Sequence, residues 1–231
     1  ICSSLAQFLP LVYLRMKYRS TRGGVSGISF TDALLMGLAD DGGLLIPDHI
    51  PDVSHSLPDW RERDFVQLAQ TLLKLFIDDL EHDDLDNLTA EAFANFDTPE
   101  VVGWKHLDGL DVLELFHGPT LAFKDVALQL LGKLFEHVLA DRGERLNILG
   151  ATSGDTGSAA IAGVAGMENI KIFILYPKGR ISSLQELQMT TVPDENVQCI
   201  SVSGTFDDCQ RIMKSIFSDL QFKATYSLGA I

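Results

Sequence analysis

Positive charge is scarce in this sequence: 18 Lys and Arg stand against 32 Asp and Glu, a formal net charge of −14 over 231 residues. General binding to nucleic acid or to an anionic membrane needs clustered Lys and Arg, so neither is expected. Only a local basic pocket for a small anion stays open. Cysteine is nearly absent. Cys2, Cys199 and Cys209 are odd in number and lack metal-ligand spacing, which argues against a disulfide scaffold and for a reducing cytosol. No apolar run is long enough to span a bilayer. The most apolar stretch, Ile1 to Leu14, is too short and lacks the positive opening of a secretory signal. It reads as sequence upstream of a natural start at Met16, and is expected to be poorly ordered. A Walker A loop is missing. So is the glycine that a calcium-binding turn would need in the acid-rich stretch Asp78 to Asp86, which reads as a solvated helix junction.

What remains is the composition of a soluble globular protein, 46% hydrophobic and 22% charged. From residue 16 to 97 the pattern is of helices joined by turn-rich loops. Phe30 to Leu38 has helical spacing with Ser29 or Thr31 as N-cap. Phe65, Leu68, Ala69, Leu72, Leu73 and Phe76 form one apolar face of a second helix. A third fits Leu88 to Phe96 with Thr89 as its cap. From residue 98 onward the rhythm changes. Strands at 112–116, 146–149, 170–176 and 197–202 alternate with helices at 123–139, 158–165, 184–189 and 206–220. The first of these helices has its stripe at Ala127, Leu130, Leu131, Leu134 and Val138. Such alternation predicts crossover units on a mainly parallel sheet, an α/β fold.

Three clusters lie at strand-to-helix junctions, where open α/β sheets hold their ligands. The first is Phe116-His117-Gly118-Pro119-Thr120-Leu121-Ala122-Phe123-Lys124-Asp125. Lys124 falls at the positive end of a long helix, where a cation is disfavoured. Beside bulky Phe123, that placement suits an amine that forms an imine with an aldehyde cofactor. The alternative is a surface lysine paired with Asp125. His117 reads as a turn-stabilising or pocket histidine before a general base. The second cluster is Thr152-Ser153-Gly154-Asp155-Thr156-Gly157. Small residues entering a helix leave backbone N–H groups open to a carboxylate or phosphate. The alternative is a plain capped helix with Asp155 or Thr156 as N-cap. The third is Tyr176-Pro177-Lys178-Gly179-Arg180, either a solvated basic turn or a lure for an anionic substrate.

The order and wording of these clusters resemble threonine synthase, in its longer bacterial and fungal-type group. Met16-Lys17-Tyr18 with Ser20-Thr21-Arg22-Gly23 is similar to the family's opening, and Gly37-Leu38-Ala39 through Ile46-Pro47 to its N-terminal domain. Glu114 through Asp125 resembles its lysine motif, and Ala151 through Gly157 its substrate loop. Leu175 through Gly179 and Gln185 through Met189 continue the likeness, which runs from Met16 to the end. The resemblance implies the tryptophan-synthase-β-like fold of pyridoxal-phosphate enzymes (fold type II), with a small helical N-terminal domain over 16–97 and the catalytic domain over 98–231. It implies a lyase that converts O-phospho-L-homoserine and water to L-threonine and phosphate in the cytoplasm. Lys124 would hold pyridoxal 5'-phosphate as an imine and then shuttle protons, with Phe123 and Asp155 also at the cofactor. Thr152, Ser153, Gly154, Asp155, Thr156 and Lys178 would meet the substrate. Where many relatives in the wider superfamily carry Asn, this sequence has Asp155, which accepts but does not donate when ionised.

In the family, an Asn-Ser-rich segment for the substrate phosphate and a glycine-rich loop for the cofactor phosphate follow further along, and neither falls within these 231 residues. The stretch by itself is therefore expected to bind the cofactor weakly and to be inactive. The rival expectations are a related phospholyase that releases a 2-oxoacid and a catalytically silent relative.

Overall fold

The computed structural model describes residues 15–230. The apolar opening read as upstream sequence lies almost wholly outside the described residues. The first elements are a short antiparallel pair, β1 (Tyr18–Ser20) and β2 (Leu45–Pro47), with helix α1 (Phe30–Met36) between them. That pair is absent from the sequence expectation, because three-residue strands carry no periodicity to read. Ser29 is the N-cap of α1, its hydroxyl accepting from Asp32 N–H. Helices α2 (Leu57–Trp60), α3 (Phe65–Phe76) and α4 (His82–Phe93) follow.

Helix α4 corrects two expectations. It starts at His82 rather than Leu88, and Thr89 is buried in its middle, donating to Leu85 C=O at 2.7 Å. Asp83 and Asp84 occupy its first turn, where negative charge complements the positive helix end. The acid-rich stretch is also more than a solvated junction. Asp79 accepts from both the N–H (2.9 Å) and the hydroxyl (2.8 Å) of Thr31, and Asp86 pairs with Lys74 at 2.6 Å.

Strands β3 (Gly103–Leu107) and β4 (Leu110–Glu114) form an antiparallel hairpin around Asp108-Gly109. The expected strand over 112–116 is thus the second arm of a hairpin and ends at Glu114, outside the parallel sheet. Asp-Gly between two strands is a strong local hairpin signal, and it was available in the sequence.

The rest is the expected α/β layer: α5 (Asp125–Arg142), β5 (Leu146–Ala151), α6 (Asp155–Val164), β6 (Ile170–Pro177), α7 (Ser183–Thr190), β7 (Val197–Val202), α8 (Phe206–Ser218), α9 (Leu220–Thr225) and β8 (Leu228–Ala230). The expected helix over 206–220 is α8, which ends at Ser218, and the short α9 and β8 that follow have no counterpart in the sequence expectation. The sheet order is β7-β6-β5-β8, and every pair in it is parallel. Ile148, Ile172 and Ile174 in the two central strands are fully buried, each stabilising the fold by roughly 1.5–3 kcal/mol. One face of the sheet packs on Phe135, Ile161 and Met189 from α5, α6 and α7, and the other on Cys209 and Phe217 of α8.

Helix α5 buries Leu128, Leu134, Phe135, Val138 and Leu139, whereas Ala127 is exposed. The predicted stripe was displaced because this helix has two apolar faces. Leu128 and Phe135 pack on the sheet layer, while Leu134 meets Ile77 and Leu85 of the N-terminal helices. At its far end Arg142 donates to Thr31 Oγ1 (2.7 Å) and Asp32 Oδ1 (2.9 Å), tying α5 to α1. Lys223 of α9 likewise donates to Leu38 C=O and Asp40 Oδ1, both at 3.1 Å.

Helices α5 and α6 cross with their backbones in contact. A Cβ on Gly132 would lie 1.9 Å from Gly163 O, which neither backbone can yield to. Gly132→Ala is expected to destabilise the intact protein by about 3 kcal/mol or more, against about 1 kcal/mol for Gly143→Ala at the left-handed end of α5. Urea unfolding of both variants checks this, and equal losses would contradict the close crossing.

At the start of α8, the Thr205 N–H, the Arg211 guanidinium and the Thr205 hydroxyl hold the Asp208 carboxyl down to about 2. That value lies below the unfolded range near 4. The group therefore contributes stability above about pH 4 that is lost as pH falls toward about 2. Thermal unfolding of Asp208→Ala should show a lower midpoint than the parent at pH 7 and a gap that closes on acidification. A gap independent of pH would contradict the capping role.

Candidate active site

The turn before α5 is organised by Asp125, the first residue of the helix and 0% exposed. Its carboxylate accepts from Thr120 N–H (2.8 Å), Thr120 Oγ1 (2.8 Å), Ala122 N–H (3.4 Å) and Gln129 Nε2 (3.1 Å). A buried carboxylate needs such donors, since burial without them carries a large desolvation cost. Gly118 closes against the same group: a Cβ there would lie 2.3 Å from Asp125 Cβ. Leu121 adopts φ 61°, a left-handed conformation uncommon for a branched residue. The turn is therefore held by its hydrogen bonds.

This arrangement disposes of one alternative. Asp125 is not a surface partner for Lys124; it faces inward to Thr120 and Gln129. The lysines in ion pairs among the described residues are Lys74, Lys105, Lys133 and Lys223. Lys124, at the N-cap of α5, instead has Nζ 4.9 Å from the ring centroid of Phe123, a cation–π contact. Phe123 itself is 56% exposed, and Leu121 and Phe116 nearby are open as well. An amine in no ion pair among the described residues thus stands beside exposed apolar surface.

His117 lies at the edge of this region. Its Nδ1 is 2.7 Å from Asp97 Oδ1, and Nε2 lies 3.4 Å from Glu114 Oε2, buried without a hydrogen bond. It joins the hairpin to the end of the N-terminal helices. A proton acceptor facing solvent would look different.

The second cluster follows β5 directly. Thr152 is 1% exposed. Its hydroxyl oxygen accepts from Gly154 N–H (3.0 Å) and Gly157 N–H (2.9 Å) and donates to Gly154 C=O (3.0 Å). Neither Asp155 nor Thr156 caps α6; Gly154 holds the cap position at φ 142° with no side-chain cap bond, and Thr152 takes over the capping work. Thr152 and Gly154 thus have their polar groups engaged inside the loop. The backbone N–H groups of Ser153, Asp155 and Thr156 have no acceptor among the described residues. Ser153 and Asp155 are exposed and Thr156 half-buried.

Helix α7 brings the two clusters together, and this the sequence reading did not single out. Gln185 Nε2 donates to Asp155 Oδ1 at 2.7 Å, and Gln188 Nε2 donates to Thr120 C=O at 3.2 Å. Gln129 adds a link between the helices, donating to Ala159 C=O at 3.2 Å. Tyr176 at the end of β6 donates to Glu186 Oε1 at 3.0 Å, and its phenol is pushed above the ordinary range by burial first and by Glu186 second. Lys178 and Arg180 are exposed on the turn that follows, their backbone N–H groups bonded to Val202 and Pro177. No side-chain bond holds Lys178 among the described residues, so the structure joins it to the other clusters only through the common end of the sheet.

No group of three or more His, Cys, Asp or Glu among the described residues is placed to hold a metal ion. A cavity of about 470 Å³ lined by Leu35, Asp40, Arg145 and Lys223 lies at the opposite end of α5 from Lys124 and takes no part in the site. Likewise no described helix is long and apolar enough to cross a membrane.

If the turn is held by Asp125, Gly118→Ala should disturb it while sparing the sheet. The expected result is faster amide exchange over residues 118–124 and a loss of about 2 kcal/mol, with exchange in β5 and β6 unchanged. Wild-type exchange across the turn would contradict the close packing.

Comparison with known proteins supplies the family. Residues 17–93 match the family described as "Threonine synthase N terminus". A threonine synthase from Schizosaccharomyces pombe is 48% identical over 229 residues, covering 94% of this chain and 45% of the relative. A Xenopus laevis protein named "Threonine synthase-like 2" is 42% identical over 217 residues, covering 92% of this chain and 46% of that one. The crystal structure of a threonine synthase from Brucella melitensis, described as PLP bound, superposes with a TM-score of 0.86 at 46% identity, over 94% of this chain and 47% of that one. The chain spans about half the length of the curated relatives it matches. The fold is therefore that of the fold type II pyridoxal-phosphate enzymes, and by both sequence and structure the chain belongs to the threonine synthase family.

Proposed function

We propose that the intact protein is a threonine synthase, converting O-phospho-L-homoserine and water to L-threonine and phosphate, and that Lys124 holds its pyridoxal 5'-phosphate. One observation carries the reading. An amine in no ion pair among the described residues stands at a helix start, beside an exposed aromatic ring and bridged through α7 to a loop with three open N–H donors. These residues fit the aldehyde end of such a cofactor, which needs an uncommitted amine and an apolar face; Phe123 offers the face.

When bound, pyridoxal phosphate supplies the electron sink that makes proton removal beside the amino group feasible. The chain's own residues do the rest. Lys124 takes and returns protons at the substrate carbons as general base and acid. The N–H groups of Ser153, Asp155 and Thr156, at the positive end of α6, bind the substrate carboxylate. Thr152 and Gly154 shape that loop. Asp155 Oδ2, without a partner among the described residues, would be the acceptor for a hydroxyl on the cofactor's ring. Lys178 supplies positive charge toward the substrate phosphate.

The boundary between an N-terminal domain and the catalytic domain belongs near residue 97, a division supported by the family match ending at residue 93. A cytoplasmic location is supported by the unpaired thiols of Cys199 and Cys209. The second reading is a related phospholyase that releases a 2-oxoacid from the same substrate class.

Lys124→Ala in the intact protein should abolish the cofactor's visible absorption and lower threonine formation by about 1000-fold or more. Retention of both would overturn the assignment. In the wild type, 2-oxobutyrate in place of threonine would favour the second reading.

A further inference from the structure

Asp155 poses an electrostatic problem for an anion site. It is the first residue of α6, where the Ser153, Asp155 and Thr156 N–H groups are open. An ionised carboxylate at that point accepts and does not donate, so left free it would either occupy those donors itself or repel an arriving carboxylate.

Neither happens, because α7 captures it. Gln185 Nε2 donates to Asp155 Oδ1 at 2.7 Å. The other end of the same amide, Oε1, accepts from Ser182 N–H (3.2 Å) and Ser182 Oγ (3.0 Å). Both ends being engaged, only one orientation of the amide satisfies the network. Ser182 Oγ in turn accepts from Gln185 N–H at 3.2 Å, completing the capping box of α7. The Gln185 side chain also roofs the loop: a Cβ on Gly154 would lie 2.4 Å from Nε2. One turn along, Gln188 reaches the lysine turn at Thr120 C=O.

We propose that Gln185 is a positioning residue of this site: its amide binds the Asp155 carboxylate to α7 and so keeps the three N–H donors open for a carboxylate-bearing ligand. The proposal rests on the reading of the 152–157 loop as the substrate's anion site. It assigns Gln185 no contact with the reacting atoms.

The test exchanges the two functional groups. Gln185→Glu alone sets two carboxylates against each other. In the intact, cofactor-loaded protein it should raise the KM for O-phospho-L-homoserine about 10-fold or more at pH 7.5, with a smaller fall in kcat. The double variant Gln185→Glu/Asp155→Asn restores the bond with donor and acceptor reversed, and is read by the order of the loop rather than by turnover, because Asp155 itself belongs to the binding machinery. A readout independent of turnover accompanies it. Amide exchange over residues 152–158, without substrate, should quicken in Gln185→Glu and recover in the double variant. Unchanged exchange in a variant that keeps its unfolding midpoint would show that Gln185 does not hold the loop, and the proposal fails. Faster exchange with a wild-type KM would show that the loop is held but is not the anion site; the reading beneath the proposal then fails, and the proposal with it.

Discussion

A single buried carboxylate sets the geometry from which everything else at this site follows. Asp125 is inside the protein and in no ion pair among the described residues, so its charge is compensated by N–H and O–H donors from the turn it faces and from Gln129. Those donors can reach it only if the chain doubles back tightly after Gly118, and that return places Lys124 at the lip of α5. The lysine is thus oriented indirectly. Its neighbour in sequence is anchored inward, and its own amine is in no ion pair among the described residues, resting against the Phe123 ring.

The same logic of committed and uncommitted groups runs through the 152–157 loop. Thr152 uses its whole hydrogen-bonding capacity to bend the chain, which closes two N–H groups and leaves three open. Helix α7 then spans both halves, with Gln185 on the loop and Gln188 on the lysine turn. The parallel sheet contributes the platform, since β5 and β6 end beside each other and deliver the loop and α7 to one edge. The backbones of α5 and α6 touch at Gly132 and Gly163, and Gln129 donates to Ala159 C=O nearer the helix starts, so close packing and a hydrogen bond join the helices that carry the turn and the loop.

Much of this was legible from residues alone. The alternation after residue 98 predicted the parallel layer, and β7 has the expected bounds of Val197–Val202. Fully buried strands flanked by small-residue turns leave a strong pattern. Less was legible where a pattern had two causes. The stripe of α5 was displaced because the helix packs on two cores at once, and α4 was begun late because its acidic first turn lacks apolar period. The hairpin at 103–114 was missed on its first arm even though Asp108-Gly109 marks the turn. In the site, the lysine motif and the loop were visible as motifs, but their connection was not. Gln185 and Gln188 are polar residues on a short helix, and nothing in their spacing says which loop each will reach.

The central claim is that the Asp125 turn presents an uncommitted Lys124 amine to the cofactor. Borohydride reduction of the intact protein with pyridoxal phosphate, followed by peptide mapping, tests it most directly. The account predicts a stable pyridoxyl adduct on the peptide carrying Lys124 in the wild type, and loss of most of that label in a folded Asp125→Ala variant. Label on another lysine, or full labelling of Lys124 without the Asp125 carboxylate, would contradict it.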